Sequence, residues 1–95
     1  MKYILFGTGD YYIRFRHWFD DRDVVAILDN DKAKQGFTLD GHPVVSPDDI
    51  MAYSFDAVVV LSFYIKEMKA QLLELGVSEN KIYHFYEIGR ASCRE

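Results

Sequence analysis

Three short apolar runs constrain the fold of this chain more than any other feature. They lie in Lys2–Phe6, Asp23–Leu28 and residues 56–62, and they are rich in β-branched, aromatic and other apolar side chains. Strands with one solvent-facing side alternate polar and apolar residues, whereas strands buried on both faces read as continuous apolar runs. The three runs therefore predict the central strands of a parallel sheet that is covered on both sides.

Two segments between these runs have helical periodicity. In residues 10–21, apolar side chains recur at i, i+4, i+7 and i+8 and form one face that is expected in the core, namely Tyr11, Phe15, Trp18 and Phe19. Asp10 is predicted as the N-cap, since its carboxylate can accept first-turn N–H groups. After the third run, the same spacing links Ile65, Met68, Leu72 and Leu75. Gly76 then suits the position just beyond a helix end.

The remaining segments complete a repeating strand–helix order. Residues 32–41 are polar and contain two glycines, which predicts a loop with room for one helical turn. His42–Val45 predict a short strand, and residues 81–86 a last one. Between them, Ser46 as N-cap followed by Pro47 predicts a short helix that ends near residue 53. Connections of this length favour right-handed crossovers between parallel strands.

The predicted fold is therefore α/β and three-layered. We expect a mostly parallel sheet of about five strands with helices on both faces. Its length, 95 residues, suits one domain, which we place at residues 1–88. Residues 89–95 differ from the rest and are interpreted as a tail, a linker or residues foreign to the domain.

Composition excludes several kinds of partner. The formal net charge is −4 and the basic residues are scattered, which argues against nucleic acid and anionic membranes. Cys93 is the single cysteine, so no disulfide forms within the chain, and it is interpreted as a passive thiol. The opening apolar run is too short for export or membrane insertion, which favours the cytoplasm. No metal is expected, because cysteines and histidines lack zinc-ligand spacing.

The turn after the first strand carries the clearest functional signal. Gly7-Thr8-Gly9 follows the strand and precedes a helix. In dinucleotide folds, the first glycine of such a turn permits a sharp bend and the second lets a pyrophosphate approach the backbone. The helix N-terminus then offers free N–H groups to the anion. Two residues depart from the pattern: Tyr12 stands where a third glycine is expected and should push the helix outward, and Asp10 should repel a phosphate.

Two further strand ends supply candidate ligand contacts. Asp29, with Asn30 beside it, closes the second strand 22 residues after Gly7, about the distance at which an acid binds a ribose hydroxyl. The alternative is a simple polar strand exit. Beyond the third apolar run, Ser62 could bind a ligand or cap the next helix, and Phe63 or Tyr64 could stack on a base or cover a sugar.

These residues resemble a known group of proteins. The resemblance rests on the segments 2–9, 27–31, 36, 39–46 and 56–60. Together they are similar to the Rossmann-like N-terminal domains of bacterial surface-polysaccharide proteins, such as nucleotide-sugar acyltransferases and nucleotide-sugar dehydratases or epimerases. The resemblance implies that Gly7, Thr8, Gly9 and Asp29 contact a nucleotide. In the acyltransferases, which hold a UDP-sugar, a separate β-helix carries out catalysis; the dehydratases hold NAD(P) and use a Tyr-x-x-x-Lys pair that this sequence lacks.

Three functions remain open at this point. The leading hypothesis is a non-catalytic domain that binds a nucleotide or nucleotide-sugar, with Gly7, Thr8, Gly9, Asp10, Asp29, Asn30, Ser62 and Phe63 as its contacts. It would belong to a polysaccharide-pathway protein with an attached catalytic domain. The second is a structural module that has lost its ligand and forms homo-oligomers. The third is an enzyme, either one in its own right, for which Asp29, Ser62, Tyr64 and His42 are the candidates, or the NAD(P)-binding part of a nucleotide-sugar dehydratase or epimerase.

Overall fold

The centre of the protein is a sheet of six strands. In the computed structural model, which describes residues 1–85, the strands are β1 (Lys2–Phe6), β2 (Asp23–Leu28), β3 (Thr38–Leu39), β4 (His42–Val45), β5 (Ala57–Val60) and β6 (Ile82–His84). Their order is β3-β4-β2-β1-β5-β6. All pairs are parallel except β3 with β4. The predicted mostly parallel α/β fold is confirmed, whereas Tyr86, Cys93 and the proposed tail at 89–95 lie outside the described residues.

Two α-helices and three 3₁₀ segments connect the strands. The helices are α1 (Asp10–Phe15) and α2 (Ile65–Glu74), and the 3₁₀ segments are Arg16–Phe19, Pro47–Ala52 and Glu79–Lys81. The first helix is thus shorter than the predicted residues 10–21, because the chain changes from α-helical to 3₁₀ geometry at Arg16. Its aromatic and β-branched residues are weak helix formers, which favours such an early change. The segment after Ser46 is likewise 3₁₀.

Each face of the sheet carries its own apolar cluster. One cluster lies under α1 and contains Leu5, Tyr12 and Phe19, whereas the other lies under α2 and contains Phe6 and Leu72. The pairing of β1 with β2 shifts register between Tyr3 and Ile4, which marks a bulge. Because α1 covers one cluster and α2 covers the other, helices lie on both faces of the sheet, as predicted.

The predicted core face of the first helix is partly wrong. Phe19 is buried, but Tyr11, Phe15 and Trp18 are only partly buried and pack against the rim of the cluster. Tyr12, which the periodicity left out, is 2% exposed. Tyr12 and Phe19 are seven residues apart, a spacing that also puts two side chains on one helical face, so the predicted face lies beside the face that is buried.

A two-residue hairpin replaces the end of the predicted loop. Thr38–Leu39 pair with His42–Pro43 in antiparallel register, and Asp40 and Gly41 form the turn with φ of 52° and 83°. Positive φ at both central residues is the geometry that Asp-Gly favours in two-residue hairpins. The Asp-Gly pair was therefore a signal for the additional strand β3, which the loop prediction overlooked.

Of the four residues predicted at helix ends, Ser46 and Gly76 are confirmed, whereas Asp10 and Ser62 are wrong. The Ser46 hydroxyl accepts a hydrogen bond from Asp48 N (3.3 Å), and Gly76 follows α2 with φ of 98°. Val77 N donates to Leu72 O, which completes a Schellman motif. By contrast, Gly9 and not Asp10 is the N-cap of α1. Tyr64 and not Ser62 is the N-cap of α2.

The strand order creates a switch point between β1 and β5. The chain moves from β1 to β2 and β4 on one side of the sheet, then crosses to β5 and β6 on the other. Ligands of open α/β sheets bind in the crevice beyond the carboxyl ends of the strands at such a point. The glycine turn that follows β1 lies at this crevice. No helix within residues 1–85 is long and apolar enough to cross a membrane.

Candidate functional site

A cavity of about 340 Å³ opens at the switch point. Its walls come from the ends of β1, β2 and β5 and from the starts of both helices. All eight residues that the sequence singled out line this one cavity: Gly7, Thr8, Gly9, Asp10, Asp29, Asn30, Ser62 and Phe63. Tyr11, Tyr64 and Met68 also line it. Residues from three distant parts of the chain thus meet where the fold predicts a ligand.

Gly7 is required by the protein itself. Its φ is 119°, and its N–H donates to Leu28 O at 2.8 Å. A Cβ at this position would lie 2.9 Å from Leu61 O, a backbone atom at the end of β5. Only glycine combines this backbone angle with such a close approach. Gly7 therefore packs the turn against β5.

Gly9 is in a different situation. Its φ of −85° suits any residue, and apart from Gly9 and its chain neighbours no atom of residues 1–85 lies within 4 Å of the Cβ that a side chain there would carry. Neither strain nor packing within the described residues demands glycine here. Gly9 lines the cavity and has open space beside it, which is consistent with a second glycine that leaves room next to the backbone.

Tyr12 occupies the place of the third glycine but does not block the cavity. Its hydroxyl donates to Asp40 Oδ2 at 2.6 Å, on the turn of the β3–β4 hairpin. The Arg16 guanidinium lies 3.3 Å from the same carboxylate. Burial, followed by the hydrogen bond to Asp40, raises the pKa of Tyr12 well above its usual range. The bond from Tyr12 lowers the pKa of Asp40. Tyr12 thus ties α1 to the hairpin on the side away from the turn cavity.

Asp29 is held in place by its neighbours. The Thr8 hydroxyl donates to Asp29 Oδ2, and Asp31 N donates to Oδ1 at 2.8 Å. The Gln35 amide donates to the Asp29 carbonyl at 2.8 Å. A carboxylate has about four acceptor positions, so these two contacts leave capacity for a ribose hydroxyl. The Thr8–Asp29 bond also joins the glycine turn to the end of β2.

Asn30 pairs with a residue that sequence reasoning missed. Its side-chain amide makes two reciprocal hydrogen bonds with Gln71 of α2, at 3.1 and 2.9 Å. The two residues lie 41 positions apart. No local pattern could have indicated this contact. It connects the β2 exit to the helix on the opposite side of the cavity.

Aromatic rings form the β5 side of the cavity. Phe63 is 75% exposed and Tyr64 is 69% exposed. The Phe63 ring meets the Tyr11 ring edge-on, with centroids 4.6 Å apart. The Ser62 hydroxyl accepts a hydrogen bond from Tyr64 N at 3.1 Å, which shapes this short connection. Tyr11, Phe63 and Tyr64 are referred to below as the aromatic wall.

A second hollow of about 290 Å³ adjoins Thr8 on the β4 side. Phe37, Leu39 and Val44 give it an apolar lining, and Lys34 lies at its edge. Phe37 was missed because residues 32–41 were assigned only as a loop. Thr8 lines both spaces, so they form neighbouring parts of one carboxyl edge.

The residues considered for catalysis do not all meet. Asp29, Ser62 and Tyr64 line the turn cavity, but His42 lines a separate space of about 450 Å³ beside Tyr12 and Arg16. Within residues 1–85, no group of His, Cys, Asp and Glu is arranged to hold a metal ion.

The family follows from a comparison with known domains. The profile of the C2185-like N-terminal domain matches residues 1–83, which is most of the chain. The chain belongs to this family. This C2185-like domain has no match among curated proteins.

Solved structures with a similar fold include two nucleotide-related proteins. One is UDP-D-quinovosamine 4-dehydrogenase from Vibrio fischeri, with a TM-score of 0.62, 16% identity and coverage of 87% of this chain and 74% of that one. The other is RSP in complex with beta-NAD+ and operator DNA, with a TM-score of 0.65 and 10% identity. That match covers 87% of this chain and about half (48%) of the other. At these identities the likeness shows the Rossmann-like fold.

Proposed function

We propose that this C2185-like domain binds a nucleotide or nucleotide-sugar of the UDP-sugar type, without catalysing a reaction itself. It would serve a cytoplasmic protein of bacterial polysaccharide synthesis, with catalysis in an attached domain. One observation carries the proposal: the eight candidate residues converge on a single cavity at the switch point. The names of the two similar structures, a UDP-sugar dehydrogenase and an NAD+ complex, support a nucleotide as the ligand class.

The cavity suggests how a nucleotide would lie. A ribose hydroxyl would meet Asp29, whose orientation Thr8 already sets. The phosphates would pass the backbone at Gly9, where no side chain intervenes. The base would enter the apolar hollow at Phe37 and Leu39. Asp10 would be the unfavourable neighbour, since its charge opposes the phosphates.

Nucleotide-dependent stabilisation tests this proposal. At 1 mM, a ligand with a dissociation constant of about 100 μM stabilises the folded state by roughly 1.4 kcal/mol, a shift of several degrees for a domain of this size. We expect that shift with UDP or a UDP-sugar. Gly9→Val, which fills the cavity, should abolish it. Ala70→Val is the control, because it places the same valine side chain at an exposed position on α2 outside the cavity.

Two results would count against the proposal. If UDP, UDP-sugars and NAD+ at millimolar concentration cause no shift in melting temperature, the domain binds none of them and the proposal is wrong. If the shift is equal in wild type and Gly9→Val, the ligand binds at a site other than the glycine turn.

A structural module is the second candidate, and one observation favours it. The Asn30 amide and two positions of the Asp29 carboxylate already have partners within the chain. A Rossmann-like domain that has lost its ligand would satisfy its polar groups in this way. It predicts a concentration-dependent homo-oligomer, which sedimentation over a concentration series would detect. A strict monomer would exclude it.

A further inference from the structure

The apolar hollow beside Thr8 has the β3–β4 hairpin as one of its walls. Leu39 and Val44 of the hairpin line the hollow, with Phe37 just before β3. Thr8 of the glycine turn lines it as well, so the hollow lies on the β4 side of that turn, whereas the aromatic wall lies on the β5 side. Because one wall belongs to the hairpin and another to the turn before α1, the width of the hollow depends on where the hairpin lies relative to α1.

The backbone holds the base of the hairpin more firmly than its tip. Within the described part of the chain, β4 pairs with β2 at Val44 and Val45, and Asp29 N extends this ladder by donating to Val45 O at 3.1 Å. Residues 39–43 precede this register, and within residues 1–85 their strand pairing is confined to β3 with β4. The tip therefore extends beyond the ladder that anchors β4 to the sheet.

Side chains of α1 and of the 3₁₀ segment after it hold the tip instead. The Tyr12 hydroxyl donates to Asp40 Oδ2 at 2.6 Å, and Arg16 Nη1 lies 3.3 Å from both carboxylate oxygens. The Tyr12 ring is buried in the core, so its hydroxyl is a fixed donor, and a hydrogen bond to an ionised acceptor is stronger than one between neutral groups. The Arg16–Asp40 pair is exposed and contributes less. Tyr12 is thus the main side-chain support of the tip.

Both ends of this bond border the proposed nucleotide site. Tyr12 lies in the first turn of α1, three residues after Gly9, and Asp40 directly follows Leu39 of the hollow. The bond therefore joins the turn that the phosphates would pass to the hairpin that the base would meet. In the dinucleotide pattern a glycine at the position of Tyr12 lets helix and strand pack closely. Here a tyrosine reaches across to the hairpin.

We infer that Tyr12 is a positioning residue of the nucleotide site, which acts through Asp40 to hold the hairpin tip where the hollow can receive the base. Tyr12 lines neither the turn cavity nor the hollow, so it acts without touching the ligand. When the bond is absent, the tip samples other positions, and the ligand binds only the fraction of molecules in which the hollow is formed. The apparent dissociation constant rises by the inverse of that fraction. The inference rests on the proposed function and adds the residue that sets the geometry of its site.

Isothermal titration of the full chain with UDP tests this role, at a temperature at which circular dichroism shows every variant to be folded. Tyr12→Phe keeps the buried ring and removes the donor, and it should weaken UDP binding roughly three- to tenfold. Asp40→Asn keeps an acceptor oxygen for Tyr12 and suits the positive φ, so its affinity for UDP should stay within about twofold of wild type. Tyr53→Phe is the matched control, because it removes a tyrosine hydroxyl beside the cluster under α2, outside the turn cavity and the hollow.

Amide hydrogen exchange of the same proteins without ligand is the second measurement. In Tyr12→Phe, exchange should become faster in residues 36–44 and stay unchanged at the glycine turn, residues 7–10. A role in stability alone would not change the affinity of a folded variant for UDP, so the two measurements together separate positioning from support of the fold.

Four other results would overturn the inference. If Tyr12→Phe binds UDP as tightly as wild type does, the bond supports only the fold, although the nucleotide site is retained. If UDP binding weakens while exchange changes at residues 7–10 and not at 36–44, Tyr12 acts through the glycine turn and not through the hairpin. If Asp40→Asn loses as much affinity as Tyr12→Phe, the charge pair with Arg16 holds the tip. If UDP does not bind wild type, the proposed function fails together with this inference.

Discussion

The two sides of the glycine turn differ in what holds them together. On the packed side, Gly7 lies against the backbone of β5 and Tyr12 is buried and bonded to Asp40. On the cavity side, Gly9 faces open space and Phe63 is largely exposed. Gly7, Gly9 and Tyr12 nevertheless belong to one short motif. The comparison teaches that neighbouring residues of one motif can have different roles. Those on the packed side support the fold, and those on the cavity side leave room for a ligand.

The largest expected effect separates the two glycines. Gly7→Ala should lower the free energy of unfolding by about 2–4 kcal/mol, because it combines an unfavourable φ with a clash at Leu61 O. Gly9→Ala should lower it by only about 0.5–1 kcal/mol, since its φ is ordinary, its Cβ meets nothing, and only the N-cap preference for glycine over alanine is lost. Urea unfolding of both variants measures the difference. Equal losses would mean that the comparison is wrong.

A smaller effect concerns the bond between Tyr12 and Asp40. Tyr12→Phe should lower the melting temperature near neutral pH by a few degrees, because the Asp40 carboxylate loses the hydrogen bond that the Tyr12 hydroxyl donates to it. Tyr64→Phe, which removes an exposed hydroxyl, is the control. A melting temperature that Tyr12→Phe leaves unchanged would show that this tie does not support the packed side.

The same bond predicts a dependence on pH at both extremes. Because burial raises the pKa of Tyr12, the unfolded chain loses this proton above about pH 10 while the folded chain retains it, so stability should fall there. Because the bond from Tyr12 lowers the pKa of Asp40, its stabilisation is present above about pH 4 and is lost below it. Urea unfolding across the pH range should show both losses reduced in Tyr12→Phe. Identical profiles for the two proteins would contradict the assignment.

The smallest effect is expected on the cavity side. Gln71→Ala removes both partners of the Asn30 amide, but the pair is exposed and water can replace it. We expect a loss below about 0.5 kcal/mol in urea unfolding, and the Asn30→Ala and Gln71→Ala double variant should lose little more than either single variant. A loss above about 2 kcal/mol would show that the cavity side also supports the fold.

Sequence reasoning succeeded where the signal was local. The apolar runs predicted β1, β2 and β5 because burial on both faces removes the need for polar residues. Gly76 and Ser46 were identified because helix ends need residues of those types. The hairpin at Asp40–Gly41 was missed although its turn residues were visible, because the preceding polar stretch suggested a loop.

The candidate site was only partly accessible to the same reasoning. The glycine turn and Asp29 follow a recognisable spacing, and the strand-end rule pointed to Ser62 and Phe63. Gln71 and Phe37 were missed, since their place beside the site depends on how distant segments pack. Tyr12 was left out of the predicted core face, because its burial depends on packing against the sheet and on an acceptor 28 residues away.

The sequence alone determined the central strands, their order along the chain and the strand ends that could contact a ligand, because these properties depend on side chains within a few residues of one another. Tertiary structure alone decided the strand order, the switch point between β1 and β5, and the convergence of eight residues on one cavity. It also decided that Gly7 is needed for packing while Gly9 is not. Those outcomes depend on contacts between residues far apart in the chain, which form only when the sheet assembles.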